Sequence, residues 1–139
     1  MRIMSLDVGS RTIGIACSDA LLMTAQGIET IRRTSLEKDF NRLQELIAEY
    51  EVHELVVGMP ENMNGTKGER AEKTEEFVAK MKEVIDLPVT YWDERLSTVM
   101  AERQLIAADV SRKKRKSVID KMAAVVILQG YLDRLQFNK

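Results

Sequence analysis

The order of extended and helical segments is the feature that most constrains the fold of this chain. Three apolar, strand-like runs come first, at residues 2–8, 12–18 and about 25–31. Strands then alternate with segments in which apolar residues recur at spacings of three and four, as in amphipathic helices. Three successive strands predict an antiparallel meander, and the later alternation predicts parallel strands joined by crossover helices. The sequence therefore predicts an α/β fold, a five-stranded mixed sheet with helices on both faces.

The later segments complete this order as βββαβαβαα. Helical spacing extends over 36–50 and 69–85, the second with Val84 on its apolar face, and β-rich runs at 54–58 and 88–92 predict the last two strands. Serine or threonine N-caps predict two final helices, one from Ser97 or Thr98 to about residue 107 and one from Ser117 to residue 134. Without an internal repeat or linker, residues 1–139 are expected to form a single domain.

Composition limits the class of protein. The chain is 45% hydrophobic and 31% charged, and its apolar runs fall short of the ~20 residues that a membrane span needs. Asp7 and Arg11 interrupt any apolar core of a signal peptide, so we expect a cytoplasmic protein without a membrane partner. A single cysteine, Cys17, and a single histidine, His53, exclude a disulfide framework and a zinc cluster. We expect the Cys17 thiol to lie in the core and the His53 imidazole to lie in a loop. Any bound metal is expected to have oxygen ligands.

Asp7 is the first candidate site residue. It ends the first strand and is followed by a tight turn that contains Gly9. Open α/β sheets bind ligands near the carboxyl ends of their strands, which suits a site here. Taken alone, an aspartate that only caps a hairpin turn is the more frequent arrangement.

Asp93 and Glu94 supply a second acidic position, directly after the predicted fifth strand. A strand-to-helix turn with acids near the positive end of a helix dipole explains them equally well. Considered with Asp7, they place another carboxylate at the carboxyl end of a strand. Two such carboxylates are consistent with a metal site.

Asp120 is the third acid. Ala123, Ala124 and Ile127 follow it at helical spacing, so its face of the predicted helix is the apolar one. An ionised carboxylate on this face needs a partner or a cation, because its burial costs several kcal/mol. However, Ser117 and Asp120 also have the spacing of a capping box, which would occupy Asp120 at the helix start. The small alanines favour the first interpretation, since they let the helix lie close to the sheet near Asp7.

A run of cations precedes this helix in a chain whose formal net charge is only −1. Such runs are commonly solvated loops, but a basic loop beside the proposed acids would attract phosphate, and nucleic acid is the natural polyanion. The run consists of Arg112, Lys113, Lys114, Arg115 and Lys116.

The loop at 57–66 is rich in Gly, Pro and Asn, so we expect it to adopt a defined conformation rather than a random one. It is either a surface turn or a rim that orients substrate, with Asn62 as a substrate contact and Glu61 as a reserve metal ligand.

Four motifs in this order resemble the YqgF family, also called RuvX, a branch of the RNase H-like nucleases. They are Asp7-x-Gly9-x-Arg11-x-x-Gly14, Gly58-x-Pro60-x-Asn62-Met63-x-Gly65, Asp93-Glu-Arg-Leu-Ser-Thr98 and Asp120-Lys-Met-Ala-Ala124 with Ile127-Leu-Gln129. Glu61 departs from the uncharged residue expected after the proline. The resemblance implies acids at strand ends and on the final helix. It also implies a role in trimming the 5′ end of pre-16S ribosomal RNA, possible association with the ribosome, or cleavage of four-way DNA junctions.

These residues suggest a two-metal mechanism as a hypothesis. Two Mg²⁺ or Mn²⁺ ions would lie roughly 4 Å apart, one to activate water and the other to stabilise the leaving oxygen. Asp7 bridges the ions, Asp120 is a further ligand, and Glu94 is preferred over Asp93 as the remaining one. Arg11 and Arg95 bind phosphate, and the basic run holds the backbone without reading sequence.

Two rival functions stay open at this point. A nucleotide-binding protein of the actin and sugar-kinase type also begins with a strand and an Asp-x-Gly turn, but 139 residues leave no room for its second lobe. A non-catalytic RNA or ribosome-assembly factor would keep the fold and the basic run. A junction resolvase needs a symmetric dimer to cut two strands, whereas RNA trimming does not, so monomer and homodimer both remain.

Overall fold

The secondary structure follows the predicted order in a computed structural model of the chain, which describes residues 2–59, 68–93 and 112–137. Side chains are described over the same ranges except at 93, 112–120, 136 and 137. The elements are β1 (Arg2–Val8), β2 (Thr12–Ser18), β3 (Ala25–Arg32), α1 (Leu36–Tyr50), β4 (Val52–Met59), α2 (Glu69–Met81), β5 (Val89–Asp93) and α3 (Arg112–Phe137). The helix predicted from Ser97 or Thr98 to about residue 107 lies outside the described residues.

The five strands form one sheet in the order β3-β2-β1-β4-β5. β1 pairs antiparallel with β2, and β2 with β3, as a meander requires. β1 pairs parallel with β4, and β4 with β5, as expected for strands joined by crossovers through helices. The predicted mixed sheet is therefore confirmed, and β1, which carries Asp7, is its central strand.

Helices α1 and α2 cover one face of the sheet. The hydroxyl of Ser35 caps α1 by accepting a 3.2 Å hydrogen bond from the N–H of Lys38. The helix ends at Glu51, whose φ of 53° is left-handed. Every second residue of β1 points to this side and packs with the apolar stripes of both helices. The resulting core includes Met4, Leu6, Phe40, Leu43, Leu46, Phe77 and Met81.

Helix α3 alone covers the opposite face among the described residues. Its buried side chains meet the other alternate set of strand residues. This second core contains Ile3, Ala16, Val56, Ala124, Ile127, Leu128 and Leu132. The prediction of helices on both faces is thus confirmed. Among the described helices, none has the length and apolar content that crossing a bilayer demands.

Three local predictions are wrong. The last helix begins at Arg112 rather than at Ser117, so the basic run lies in its first turns and not in a loop. Arginine and lysine are good helix formers, because their unbranched side chains lose little rotamer freedom in a helix. α2 ends at Met81, and Val84 is 52% exposed while Ile85 is buried after the turn. His53 lies in β4 rather than in a loop, whereas Cys17 is the predicted core thiol.

Candidate active site

Asp7 lies on the face of the sheet that α3 covers. Side chains alternate along a strand, and Ile3 and Ser5 both contact the α3 side. Asp7 continues this odd-numbered set, two residues beyond Ser5 and opposite Gly14 of β2. It is half-buried, near the carboxyl end of the central strand. Asp7 therefore lies on the α3 side of the sheet, at the carboxyl end of the central strand.

Helix α3 approaches β1 very closely at this place. The Ser5 hydroxyl, fully buried, donates a 2.6 Å hydrogen bond to the carbonyl oxygen of Ala124. Ala123 and Ala124 are also fully buried. Larger side chains at these two positions would hold the helix away from the strand. The predicted apolar face after position 120 is confirmed, and the small residues account for the short distance.

The direction of α3 brings position 120 toward Asp7. At β3, Ala25 donates to the side chain of Gln129, whereas Gly27 lies against Lys121 and Val125. The helix therefore runs antiparallel to β3, and β3 is parallel to β1. Two residues along a strand advance about 6.6 Å. Four residues along a helix advance about 6 Å. Starting from the Ser5–Ala124 contact, position 120 comes opposite Asp7.

This helical run rules out the capping-box interpretation of Asp120. Ser117 and Asp120 both lie inside α3, which begins at Arg112. A residue in the helix interior has no unpaired first-turn N–H groups to cap. The side chain of Asp120 lies outside the described side chains.

Strand β5 ends at the same edge of the sheet. Met59 of β4 pairs with Asp93, and β4 separates β5 from β1. Two strand spacings, about 10 Å, therefore separate the backbones of β1 and β5. Trp92 packs on the α3 face, where its ring meets Tyr131 edge-on at 6.0 Å and lies beside Gly130. Glu94 and Arg95 lie outside the described residues.

The cations that sequence assigned to substrate binding are only partly described. Arg11 is exposed and lies in the turn between β1 and β2, just before β2 begins at Thr12. The basic run occupies the first turns of α3, which contain no acidic residue. Glu61 and Asn62 lie outside the described residues.

Arg33 is a site residue that the sequence alone did not reveal. Its guanidinium donates a 2.6 Å hydrogen bond to the carbonyl of Gly9, pairs with the buried Asp39 at 3.6 Å and stacks over Phe77 at 5.1 Å. It therefore anchors the turn that follows Asp7 to α1 and α2. No local pattern indicates this role, because its partners come from three separate segments.

The donor chemistry at this edge suits a hard divalent cation. Mg²⁺ and Mn²⁺ prefer carboxylate oxygen, and Asp7 provides it at a strand end beside a closely packed helix. Within the described residues, no three His, Cys, Asp or Glu side chains are grouped to hold a metal. A complete set therefore requires carboxylates beyond the described side chains, and Asp120 and Glu94 are the candidates that the sequence offers.

Comparison with known proteins identifies the family. A family model described as RuvX, Holliday junction resolvase, matches residues 1–134. A Desulforamulus reducens protein named "Putative pre-16S rRNA nuclease" is 66% identical over 133 residues, covering 96% of this chain and 97% of that protein. One of the same name from Desulfitobacterium hafniense is 61% identical, covering 98% and 94%.

The fold has a solved counterpart as well. RuvC of T. thermophilus, in complex with a Holliday junction substrate, matches with a TM-score of 0.61 at 14% identity, covering 98% of this chain and 96% of that one. This likeness confirms the RNase H-like fold expected from the motifs. With a family model that spans nearly all of its length, the chain belongs to the RuvX Holliday junction resolvase family.

Proposed function

We propose that this protein is a divalent-metal-dependent endonuclease that acts on structured nucleic acid, at the 5′ end of pre-16S ribosomal RNA. The observation that carries the proposal is the alignment of Asp7 with position 120 across the contact between β1 and α3. The substrate is suggested by relatives at 61–66% identity that bear the name of a pre-16S rRNA nuclease. On this proposal residues 1–139 act as one domain.

The proposed ligands of Mg²⁺ or Mn²⁺ are Asp7, Asp120 and Glu94. Trp92 packs on the α3 face, and a strand that continued beyond Asp93 would return to that face at position 94. Glu94 is therefore preferred to Asp93, on the periodicity of a strand alone. A pair of such ions, when bound, activates a water molecule and stabilises the leaving oxygen of the phosphodiester.

The protein's own groups then orient the substrate. Arg33 fixes the turn after Asp7 through the Gly9 carbonyl, so the carboxylate keeps its position when a polyanion approaches. Arg11 in that turn is proposed to contact phosphate, as is Arg95. The cations of the first turns of α3 are proposed to hold the nucleic-acid backbone without reading its sequence. Nucleic acid, in the ribosomal precursor or as branched DNA, is the proposed partner.

A second candidate function is cleavage of four-way DNA junctions. The description of the matching family model favours it, as does the fold shared with a junction-bound RuvC. This function requires a symmetric dimer, because two strands must be cut. The oligomeric state of the active species therefore separates the two candidates.

One comparison tests both functions. Wild type and the Asp7→Asn variant are incubated in Mn²⁺ with precursor 16S ribosomal RNA and, separately, with a four-way DNA junction. We expect the wild type to cut the RNA at the 5′ side of the mature sequence and Asp7→Asn to cut neither substrate. Cleavage of the four-way junction without cleavage of the RNA would contradict the ribosomal RNA function and support the resolvase function. RNA binding without cleavage in any divalent metal would contradict both and indicate an assembly factor.

A further inference from the structure

A groove runs along the sheet edge where β1 ends, on the side that α1 and α2 cover. It consists of a cavity of about 500 Å³ and a neighbouring one of about 220 Å³. Ser10, Arg33 and Lys73 line both cavities, so the two lie side by side. We call this feature the α2 groove. Arg11, the proposed phosphate contact whose side chain is described, does not line it.

The smaller cavity adjoins Asp7. Val8 and Gly9, the two residues that follow Asp7, form part of its lining. The turn here is fixed from two sides, since the N–H of Gly9 donates to the carbonyl of Thr12 at 2.8 Å and the Gly9 carbonyl accepts from Arg33 at 2.6 Å. A ligand held in this cavity would therefore lie at a constant position relative to the strand end.

Positive charge is concentrated at this end of the groove. Among the described residues, three cations, Arg33, Arg70 and Lys73, line the smaller cavity against one carboxylate, Glu69. The 3.2 Å pair between Lys73 and Glu69 joins side chains that are 68% and 80% exposed, so it contributes little and can open for a phosphate. The larger cavity adds the cation Lys80 together with Glu76 and Asp39, and Asp39 pairs with Arg33.

Arg33 differs from the other two cations. Its charge is matched by the buried Asp39, and its guanidinium is fixed by the Gly9 carbonyl. Arg70 and Lys73 are exposed and three residues apart, so they neighbour each other on one side of α2. They are the pair that can contact a ligand directly.

The lining favours recognition of phosphate and sugar over recognition of bases. Hydroxyls of Ser10, Thr34 and Ser35 add hydrogen-bonding groups. The aromatic ring in the lining, Phe77, is only 3% exposed and lies under the Arg33 guanidinium. Base stacking requires an accessible ring face, whereas lysine and arginine hold phosphates independently of sequence.

We propose that the α2 groove binds the phosphodiester backbone of the nucleic-acid substrate, with Arg70 and Lys73 as phosphate contacts beside the strand end that carries Asp7. This inference rests on the proposed nuclease function. It adds a contact surface on the face of the sheet opposite to α3, so that substrate is held on both sides of the edge where Asp7 lies.

The test compares two charge-matched double variants. Arg70→Gln/Lys73→Gln removes the groove contacts, and Lys38→Gln/Lys82→Gln removes two exposed cations that do not line the groove. Binding of a short fluorescein-labelled single-stranded RNA is measured by anisotropy in EDTA, which prevents metal-dependent cleavage. Salt is varied between about 50 and 200 mM, a range over which phosphate contacts strongly affect affinity.

We expect the groove variant to lower the slope of log affinity against log salt by about 1.4, which is about 0.7 for each of two lost phosphates on a single strand. The control variant should retain the wild-type slope. An unchanged slope in the groove variant, or equal reductions in both variants, would overturn the inference.

Asp7→Asn in the same assay separates this inference from the proposed function. It should bind RNA as wild type does, because the assay excludes the metal. If Asp7→Asn still cleaved RNA in Mn²⁺, the catalytic proposal would fail, whereas the salt slopes would still decide whether the groove binds phosphates.

Discussion

The hydroxyl of Ser5 and the carbonyl of Ala124 are joined by a 2.6 Å hydrogen bond across 119 positions of sequence. The bond joins the strand that carries Asp7 to the helix that carries Asp120, in a region where both partners are fully buried. Further along the helix, Gln129 accepts from the N–H of Ala25 and donates to the carbonyl of Met23. These contacts fix the position of α3 along the sheet. The alignment of the two acidic positions follows from them.

Enlarging the side chain at the closest contact should disturb that alignment. Ala124→Leu introduces a large side chain into a fully buried site, and overpacking of this kind costs about 1–3 kcal/mol. We expect a lower free energy of unfolding in urea and slower metal-dependent cleavage. Val125→Leu, at a half-buried neighbouring position beside Gly27, is the control and should change both quantities little. Equal effects of the two variants would contradict the role assigned to the contact.

A side chain at Gly9 should destabilise the turn after Asp7. A Cβ there would lie 3.0 Å from the backbone oxygen of Thr12, which already accepts the Gly9 N–H. Gly9→Ala is expected to lower the free energy of unfolding by about 1–3 kcal/mol. In Gly27→Ala the Cβ would meet Lys121 and Val125 at an ordinary 3.6 Å, so stability should stay within about 0.5 kcal/mol of wild type. Chemical denaturation of both variants checks the contrast.

Arg33 should matter far more for stability than an arginine in an exposed network. Arg33→Met leaves the buried Asp39 without its cation, and breaking a buried pair in this way costs about 3 kcal/mol. Arg42→Met removes pairs with Glu29 and Glu45 whose side chains are 31–66% exposed, so about 1 kcal/mol or less is expected.

A double-mutant cycle of Arg33→Met with Asp39→Asn measures the coupling directly. The double variant should be less destabilised than the sum of the two single variants. Additive losses would show that Arg33 acts without Asp39.

The turn between β2 and β3 should contribute to acid sensitivity. Backbone N–H groups of Thr24 and Met23 donate to the Asp19 carboxylate and lower its pKa below the ordinary value. A lowered folded-state pKa gives stability above the unfolded pKa, and that stability is lost as pH falls through the folded pKa. Asp19→Asn keeps an acceptor oxygen but does not titrate. The unfolding free energy of this variant should therefore fall less than that of wild type between about pH 6 and pH 3. Asp86→Asn, which removes an exposed acid outside this turn, is the charge-matched control.

The predicted parts of the structure are those that local periodicity determines. Strand alternation and helical spacing place Leu6, Phe40 and Ile127 in cores, and the order of strands and helices gives the sheet topology. The apolar face of the last helix is likewise confirmed. Family motifs single out Asp7, Glu94 and Asp120 as candidate acids, because the order of the motifs along the chain is specific even where each motif is short; their role stays a prediction.

The structural features that could not be predicted from the sequence depend on contacts between distant residues or on competing local preferences. Arg33 gains its role from Gly9, Asp39 and Phe77, which no spacing rule brings together. The Ser5–Ala124 bond is equally non-local. Ser117 has the residue type of an N-cap, yet the helix continues to Arg112, since the cations before it are good helix formers and no proline or glycine stops it.

Mn²⁺ binding tests the central claim, that Asp7 and Asp120 belong to one metal centre, most directly. The dissociation constant is measured by electron paramagnetic resonance of free Mn²⁺ for wild type, Asp7→Asn, Asp120→Asn and Asp133→Asn. Asp133 is the control, an exposed acid of the same helix that accepts from Gln129. We expect each of the first two variants to bind Mn²⁺ at least about tenfold more weakly, since even residues that only support a metal ligand contribute 10- to 100-fold. Asp133→Asn should match wild type. Wild-type affinity in Asp7→Asn or Asp120→Asn would contradict the account.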